Sequence, residues 1–328
     1  MRTFVLSRAT PDSHRLRACA ALLVFAGFIG FYPVHAQRPQ QPDFRVSVDM
    51  VMLTFNVLDA QEISVRGLKP ENIRVFEDGT PQRIATFAEG SKPAVKLIGD
   101  RLEAPGSNVF VLLDTSNRMY GTLMHACDAI ADFVRQLDPV DAIAVYTFSQ
   151  NMWRAFPLTN EHRQPRITLA NMVAGNDTAV YNALLLTLRD AAKVSGQKAV
   201  ILFSNGPDNA SVIGPYDVGA VAINEGIPIY IVTTEDAVKD RETAKAFEFL
   251  TTRTGGKLYC ARAWQGQVRA FAAIQNYIDN SYAIGYYPAF NPNDGFRHIR
   301  VDIVTAVKER YRVRVRAGYE AKPFSVAR

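Results

Sequence analysis

Two hydrophobic periodicities divide the chain. Apolar residues first recur at every second position, at Val46, Val48, Met50 and Met52, and then at Phe55 and Val57 on the opposite parity. Alternation predicts a half-exposed strand, and the change of parity predicts a bulge near Val51–Leu53. Ile73 to Phe76 runs into Glu77-Asp78-Gly79-Thr80, a tight-turn signal, and Ile84 to Phe87 returns. This is antiparallel β structure. From Asn108 the pattern changes. Val109–Leu113, Ala199–Phe203 and Ile227–Val232 are short, almost wholly apolar runs, as in parallel strands covered on both faces. Between them the period is helical. Leu123, Cys127, Ile130, Val134 and Leu137 form one stripe, and Val180, Leu184, Thr187, Leu188 and Ala191 form another. Further helices are predicted near Val218–Asn224, Glu242–Leu250 and Val268–Ile278. Strand–helix alternation of this kind predicts an α/β fold with a doubly wound, mostly parallel sheet. After Ser281 strands resume in Tyr282–Tyr287, in Ile299, Val301 and Ile303, and in Tyr311, Val313 and Val315. Arg312, Arg314 and Arg316 take the other face of the last strand and read as a solvated ladder.

Neither terminal β segment is long enough to bury a core alone. They are expected to pair, so that the α/β domain (105–279) is inserted into a smaller, discontinuous β-sandwich-like domain made of residues 43–97 and 281–321. Residues 37–42, rich in Gln and Pro, read as a linker.

The N-terminus changes the compositional picture. Arg2, Arg8, Arg15 and Arg17 precede the apolar run Ala18–Phe31; Pro33 breaks it, and Val34-His35-Ala36 offers small residues where a signal peptidase reads. Residues 1–36 are expected to be a secretory signal, placing the protein in the periplasm or outside the cell. The run is shorter than the roughly 20 residues of a membrane span. No cysteine follows it at a lipoprotein cleavage position. Without these residues Lys and Arg fall from 37 to 33 and Asp and Glu from 32 to 31, leaving a net charge of +2. The basic excess that a nucleic-acid partner requires is gone. Cys127 and Cys260 are expected as buried free thiols. His125, His162 and His298 have no metal-ligand spacing.

In an open α/β sheet, ligands sit beyond the carboxyl ends of the strands. Three loops there carry polar residues: Asp114-Thr115-Ser116-Asn117-Arg118, Gly175-Asn176-Asp177-Thr178, and Ser204-Asn205-Gly206-Pro207-Asp208. Together they resemble the loops of the von Willebrand factor A family, from about Pro105 to Tyr277. That family carries a metal-ion-dependent adhesion site: Asp-x-Ser-x-Ser after the first strand, a Thr before a later helix, and an Asp after the central strand. The flanks, Gly67 to Phe87, Ser281 to Pro288 and Tyr311 to Tyr319, resemble those of secreted bacterial members. The resemblance implies a non-catalytic binding or adhesion protein that recognises its partner on the loop face. Asp114, Ser116 and Thr178 match the metal ligands. Arg118 stands where the family has Ser, and Asn205 where it has Asp. The ligand-binding set is therefore Asp114, Ser116, Arg118, Thr178 and Asn205, a degenerate site expected to hold Mg²⁺ or Mn²⁺ weakly or not at all, since hard cations want oxygen ligands and negative charge. Asp177 and Asp208 are the available replacement carboxylates. No nucleophile elbow, phosphate-binding glycine loop or His-Glu-x-x-His motif occurs. The alternatives are a structural envelope component with a dead site and, less favoured, a hydrolase built on Asp114, Ser116 and a distant histidine.

Overall fold

Parallel strands buried on both faces form the centre of the computed structural model. It describes residues 50–90, 106–119, 121–162, 175–261, 263–305 and 310–321, with the backbone of 96–98 and 101–103. The expected signal, the linker, Val46 and Val48 lie outside the described residues. The chain divides into two units. Every described residue belongs to the larger, Ser47–Ser325.

In chain order the strands and helices are β1 (Val51–Leu58), β2 (Ile73–Glu77), β3 (Thr80–Gln82), β4 (Ile84–Glu89), β5 (Lys96–Ile98), β6 (Arg101–Glu103) and β7 (Asn108–Asp114). Then come α1 (Leu123–Gln136), β8 (Ala142–Phe148), β9 (Met152–Thr159), α2 (Val180–Ala192), β10 (Lys198–Phe203), α3 (Pro215–Asn224) and β11 (Ile229–Thr233). The chain continues through α4 (Glu235–Lys239), α5 (Arg241–Thr254), β12 (Leu258–Cys260) and α6 (Trp264–Asp279) to β13 (Tyr282–Tyr286), β14 (Phe296–Ile303), β15 (Arg312–Val315) and β16 (Gly318–Glu320).

The central sheet runs β12-β11-β10-β7-β8-β9, parallel throughout except for the edge strand β9. Alternation along β7 splits its side chains between two cores. Val109, Val111 and Leu113 face α1 and α6, while Phe110 and Leu112 face α2, α3 and α5. In the first core Phe271 sits between Phe133 and Phe203, with ring centroids 5.4 and 6.4 Å away. Each such ring contributes about 1.5–3 kcal/mol by leaving water. The order reverses between β10 and β7, so the crevice beyond their carboxyl ends is the switch point of the sheet.

Strands from both flanks make two antiparallel sheets, β15-β1-β13-β4 and β16-β14-β2-β3, which share a core of Leu53, Phe55, Val57, Ile73, Val75, Tyr282, Ile284, Tyr286, Ile299 and Val301. Buried Glu77 pins that core. Its carboxylate pairs with Arg297 at 3.1 Å and accepts the Tyr286 and Tyr319 hydroxyls, each at 2.8 Å. The β2–β3 turn takes positive φ at Asp78 (47°) and Gly79 (82°), as the sequence signal requires.

Three expectations are corrected, and two strands are added. β1 pairs with β13 in unbroken register, so the expected bulge is absent; the shift falls at Gly285/Tyr286, between β13 and β4. Leu53, Phe55 and Val57 hold the inward parity, while Met50 and Met52 reach over Gly285 on the other face. β8 and β9 are strands that the sequence reading does not name. The arginine ladder is a solvated face only at Arg312. Arg316 is 7% exposed and donates to Ile223 O (2.7 Å), Asn224 O (3.2 Å) and Met52 O (2.9 Å), closing the carboxyl end of α3. Arg314 donates to Gly256 O at 3.3 Å, and Arg312 pairs with Glu62 at 2.7 Å. Finally, Cys127 is buried in α1, where burial pushes its thiol up to about 11, but Cys260 is exposed because β12 is a sheet edge; no disulfide joins them. Among the described residues no helix is long and apolar enough to cross a membrane.

Candidate functional site

The buried run of β7 carries Asp114 to the switch point with its side chain wholly covered. One carboxylate oxygen accepts the Ser116 N–H at 2.8 Å, and the other accepts the Ser204 hydroxyl at 2.6 Å. Burial raises the Asp114 carboxyl above the ordinary aspartate range, against the opposing pull of the Ser204 hydroxyl, the Ser116 N–H and hydroxyl, and the Arg118 charge. Ser204 follows β10, and its own carbonyl accepts Thr233 Oγ1 at 2.7 Å from the end of β11. Thr115 donates its N–H (2.7 Å) and hydroxyl (3.0 Å) to Phe148 O at the end of β8. Four neighbouring strand ends are thus tied together around one carboxyl group.

The second loop docks on the first. Asn117 N donates to Gly175 O at 2.9 Å, and the Asn117 amide donates to Asn176 Oδ1. Gly175 is needed there: a Cβ at this position would stand 2.6 Å from Ser149 Oγ. Thr178 is gripped on both sides, its N–H donating to Asn209 Oδ1 (2.7 Å) and its carbonyl accepting Asn209 N (3.0 Å). The third loop closes on Arg118. Asn205 Nδ2 donates to Arg118 O, and the Arg118 stem lies on Gly206, where an added Cβ would meet Arg118 Cδ at 3.0 Å. The guanidinium is exposed, and its charge acts on both Asp114 and Asp240.

Two oxygens in these loops, Thr178 Oγ1 and Asn205 Oδ1, are buried without a hydrogen-bond partner in the protein, and a third, Ser116 Oγ, makes no hydrogen bond of ordinary geometry but lies close enough to Asp114 to stabilise its carboxylate. Leaving such a group unmade costs about 1–3 kcal/mol, so each points to something that the loops bind, water included.

The two replacement carboxylates are otherwise engaged. Asp208 accepts Tyr181 N (3.2 Å) and the Ser211 hydroxyl (2.5 Å), closing the first turn of α2, and Asp177 accepts the Asn209 amide at 3.3 Å. Ser204, Asn209, Ser149 and Asp240 escape a reading based on spacing, because isolated polar loop residues leave no periodic trace. Among the described residues no three of the His, Cys, Asp and Glu side chains gather as a metal-holding group. His125 is exposed on α1, His162 touches Asp141 O beside β8, and His298 lies on β14.

No curated protein matches the chain in sequence. Solved structures that resemble it include the conserved hypothetical protein BatB from Bacteroides thetaiotaomicron, at 18% identity and a TM-score of 0.43, covering 52% of this chain and 98% of that one. Another is the vWF domain of the type V pili tip protein Mfa5 from Porphyromonas gingivalis, at 13% and 0.42, covering 52% and 94%. The profile of the von Willebrand factor type A domain matches residues 108–256, from the start of β7 to the turn between α5 and β12. Those residues are a von Willebrand factor type A domain, carried in a chain that joins its mostly parallel sheet to separate antiparallel sheets.

Proposed function

We propose that this is an exported, non-catalytic binding protein that recognises a protein or other envelope macromolecule on the loop face around Asp114, Ser116, Arg118, Thr178 and Asn205. The observation that carries this reading is the pair of buried oxygens without a protein partner, Thr178 Oγ1 and Asn205 Oδ1, in loops braced to one another at the switch point. The basic start and apolar run before Ala36 support export. The Ser204 hydroxyl that meets the Asp114 carboxylate is fully buried beneath the loops rather than presented to a substrate, which favours binding over hydrolysis.

The donor types suit a hard divalent cation, but the charge does not. Asp114 is the one carboxylate of the set; both its oxygens are already accepting, and burial favours its neutral form. Arg118 adds a fixed positive charge nearby. At an effective dielectric of about 20 that charge costs a divalent ion several kcal/mol. The residues therefore do not fit a tightly held ion, and the adhesion site is read as degenerate.

The test is capture of partners from the envelope fraction by immobilised protein, wild type against Asn176→Arg, which places a bulky cation on this face at an exposed position. Loss of specific capture supports the reading. Equal capture by both proteins overturns it.

A further inference from the structure

We propose that Met50 and Met52 form a site for one soft monovalent cation, Cu(I), on the outer face of the sheet β15-β1-β13-β4. The site lies in the antiparallel part of the fold and does not rest on the loop-face reading. Met52 pairs with Gly285 of β13, and Gly285 pairs in turn with Thr86 of β4. Met50, two residues before Met52, reaches over the same glycine. A Cβ on Gly285 would stand 2.5 Å from Met50 Sδ, 2.5 Å from Thr86 Oγ1 and 2.9 Å from Met52 Sδ. Two thioether sulfurs and a hydroxyl thus close around one point, which only the lack of a Gly285 side chain leaves to them. The sulfurs are no farther apart than the sum of their two distances, so small rotations of these unbranched side chains bring both onto one ion. The register shift at Gly285/Tyr286 falls at the same place. A glycine inside a strand and a bulge beside it are where a sheet admits a ligand close to its backbone.

The ligand atoms select the ion. Thioethers are soft, neutral donors that suit Cu(I), whereas Mg²⁺, Ca²⁺ and Mn²⁺ want oxygen ligands and negative charge. Charge selects in the same direction. Two sulfurs and a hydroxyl neutralise nothing, and buried Arg316, which donates to Met52 O at 2.9 Å, adds a positive charge close by. A singly charged ion meets half the repulsion that a divalent one meets there. Packing does not account for the pair. The sandwich core lies on the opposite face, with Leu53 and Phe55, and Met52 is 53% exposed. The sulfurs therefore sit where an ion can reach them from solvent.

The test follows the methyl resonances of protein labelled with ¹³C-methyl methionine. Cu(I) is added under anaerobic conditions with ascorbate, in competition with bicinchoninate. The protein carries Cys260→Ser, because an exposed thiol also takes soft ions. One equivalent of Cu(I) should move the Met50 and Met52 methyls together and leave Met124, an exposed methionine of α1, in place. Excess Mg²⁺ should move none of them. Met50→Leu and Met52→Leu nearly conserve volume. Each should weaken Cu(I) binding at least about tenfold, since losing even an outer partner costs a metal site about 10–100-fold. The two changes together should abolish binding, while the methyl of fully buried Met119 reports that the variant is folded. No shift with Cu(I), undiminished binding by the folded double variant, or an equal shift at Met124 would each overturn the proposal.

Discussion

Asp114 Oδ2 accepts the Ser204 hydroxyl at 2.6 Å, joining the ends of β7 and β10, the two strands between which the sheet order reverses. The bond spans 90 residues of chain and makes one rigid floor for the candidate site. It also sets how the site responds to acid.

The Asp114 carboxyl is raised in the folded protein, chiefly by burial. A raised carboxyl binds more protons folded than unfolded, so stability falls as pH rises from about 4, the unfolded value, through the folded value. The cost is fully present above that window. Asp114→Asn removes it, and Ser204 can accept from the new amide. Urea titrations between pH 4 and 7 should show the variant gaining on wild type as pH rises. A gap that stays constant with pH contradicts the account.

Arg316 closes α3 through two carbonyls, Ile223 O and Asn224 O, and ties it to β1 through a third, Met52 O. Arg316→Leu should destabilise the protein by about 2–5 kcal/mol, because buried carbonyls lose their donors. Exposed Arg312→Ala should cost under about 1 kcal/mol despite its ion pair. Equal midpoints for the two variants in urea would show that Arg316 is not the structural link.

The flanking strands share sheets across the inserted α/β segment. A fragment of residues 104–279 should therefore melt cooperatively, while residues 43–97 alone should not, having lost β13 and β14. Cooperative melting of the short fragment, followed by circular dichroism, would contradict a discontinuous domain.

Export predicts a mature protein beginning at Gln37. N-terminal sequencing of the exported form decides this, and a start before Phe31 or a retained Met1 opposes it.

What the sequence revealed follows burial. β7, β10 and β11 are covered on both faces and appear as unbroken apolar runs. Edge strand β9 is half exposed and interrupted by Pro157, so it leaves no such trace. β8 is buried like β7, β10 and β11, and its run Ala142–Phe148 is apolar apart from Thr147. The start of β1 misleads because Met50 and Met52 make its outer face apolar there, lying over Gly285 opposite Leu53 and Phe55. Alternation placed Arg316 away from the sandwich core but could not tell that the end of α3 stands there instead of water. Asp114, Ser116 and Thr178 were visible as a motif. Ser204 and Asn209, which hold two of them in place, were not, since their role depends on contacts between distant loops.

The degenerate-site reading is tested most directly by calorimetric titration of Mg²⁺ and Mn²⁺ into three proteins. Wild type opposes one engaged carboxylate with the Arg118 charge. Asn205→Asp adds a carboxylate that Arg118 can neutralise. Arg118→Ser with Asn205→Asp moves the local charge two units towards negative and restores a hydroxyl, and hard cations respond strongly to such changes. The account predicts little or no binding by wild type, little more by the single variant, and clear binding by the double variant. Micromolar binding by wild type would contradict it.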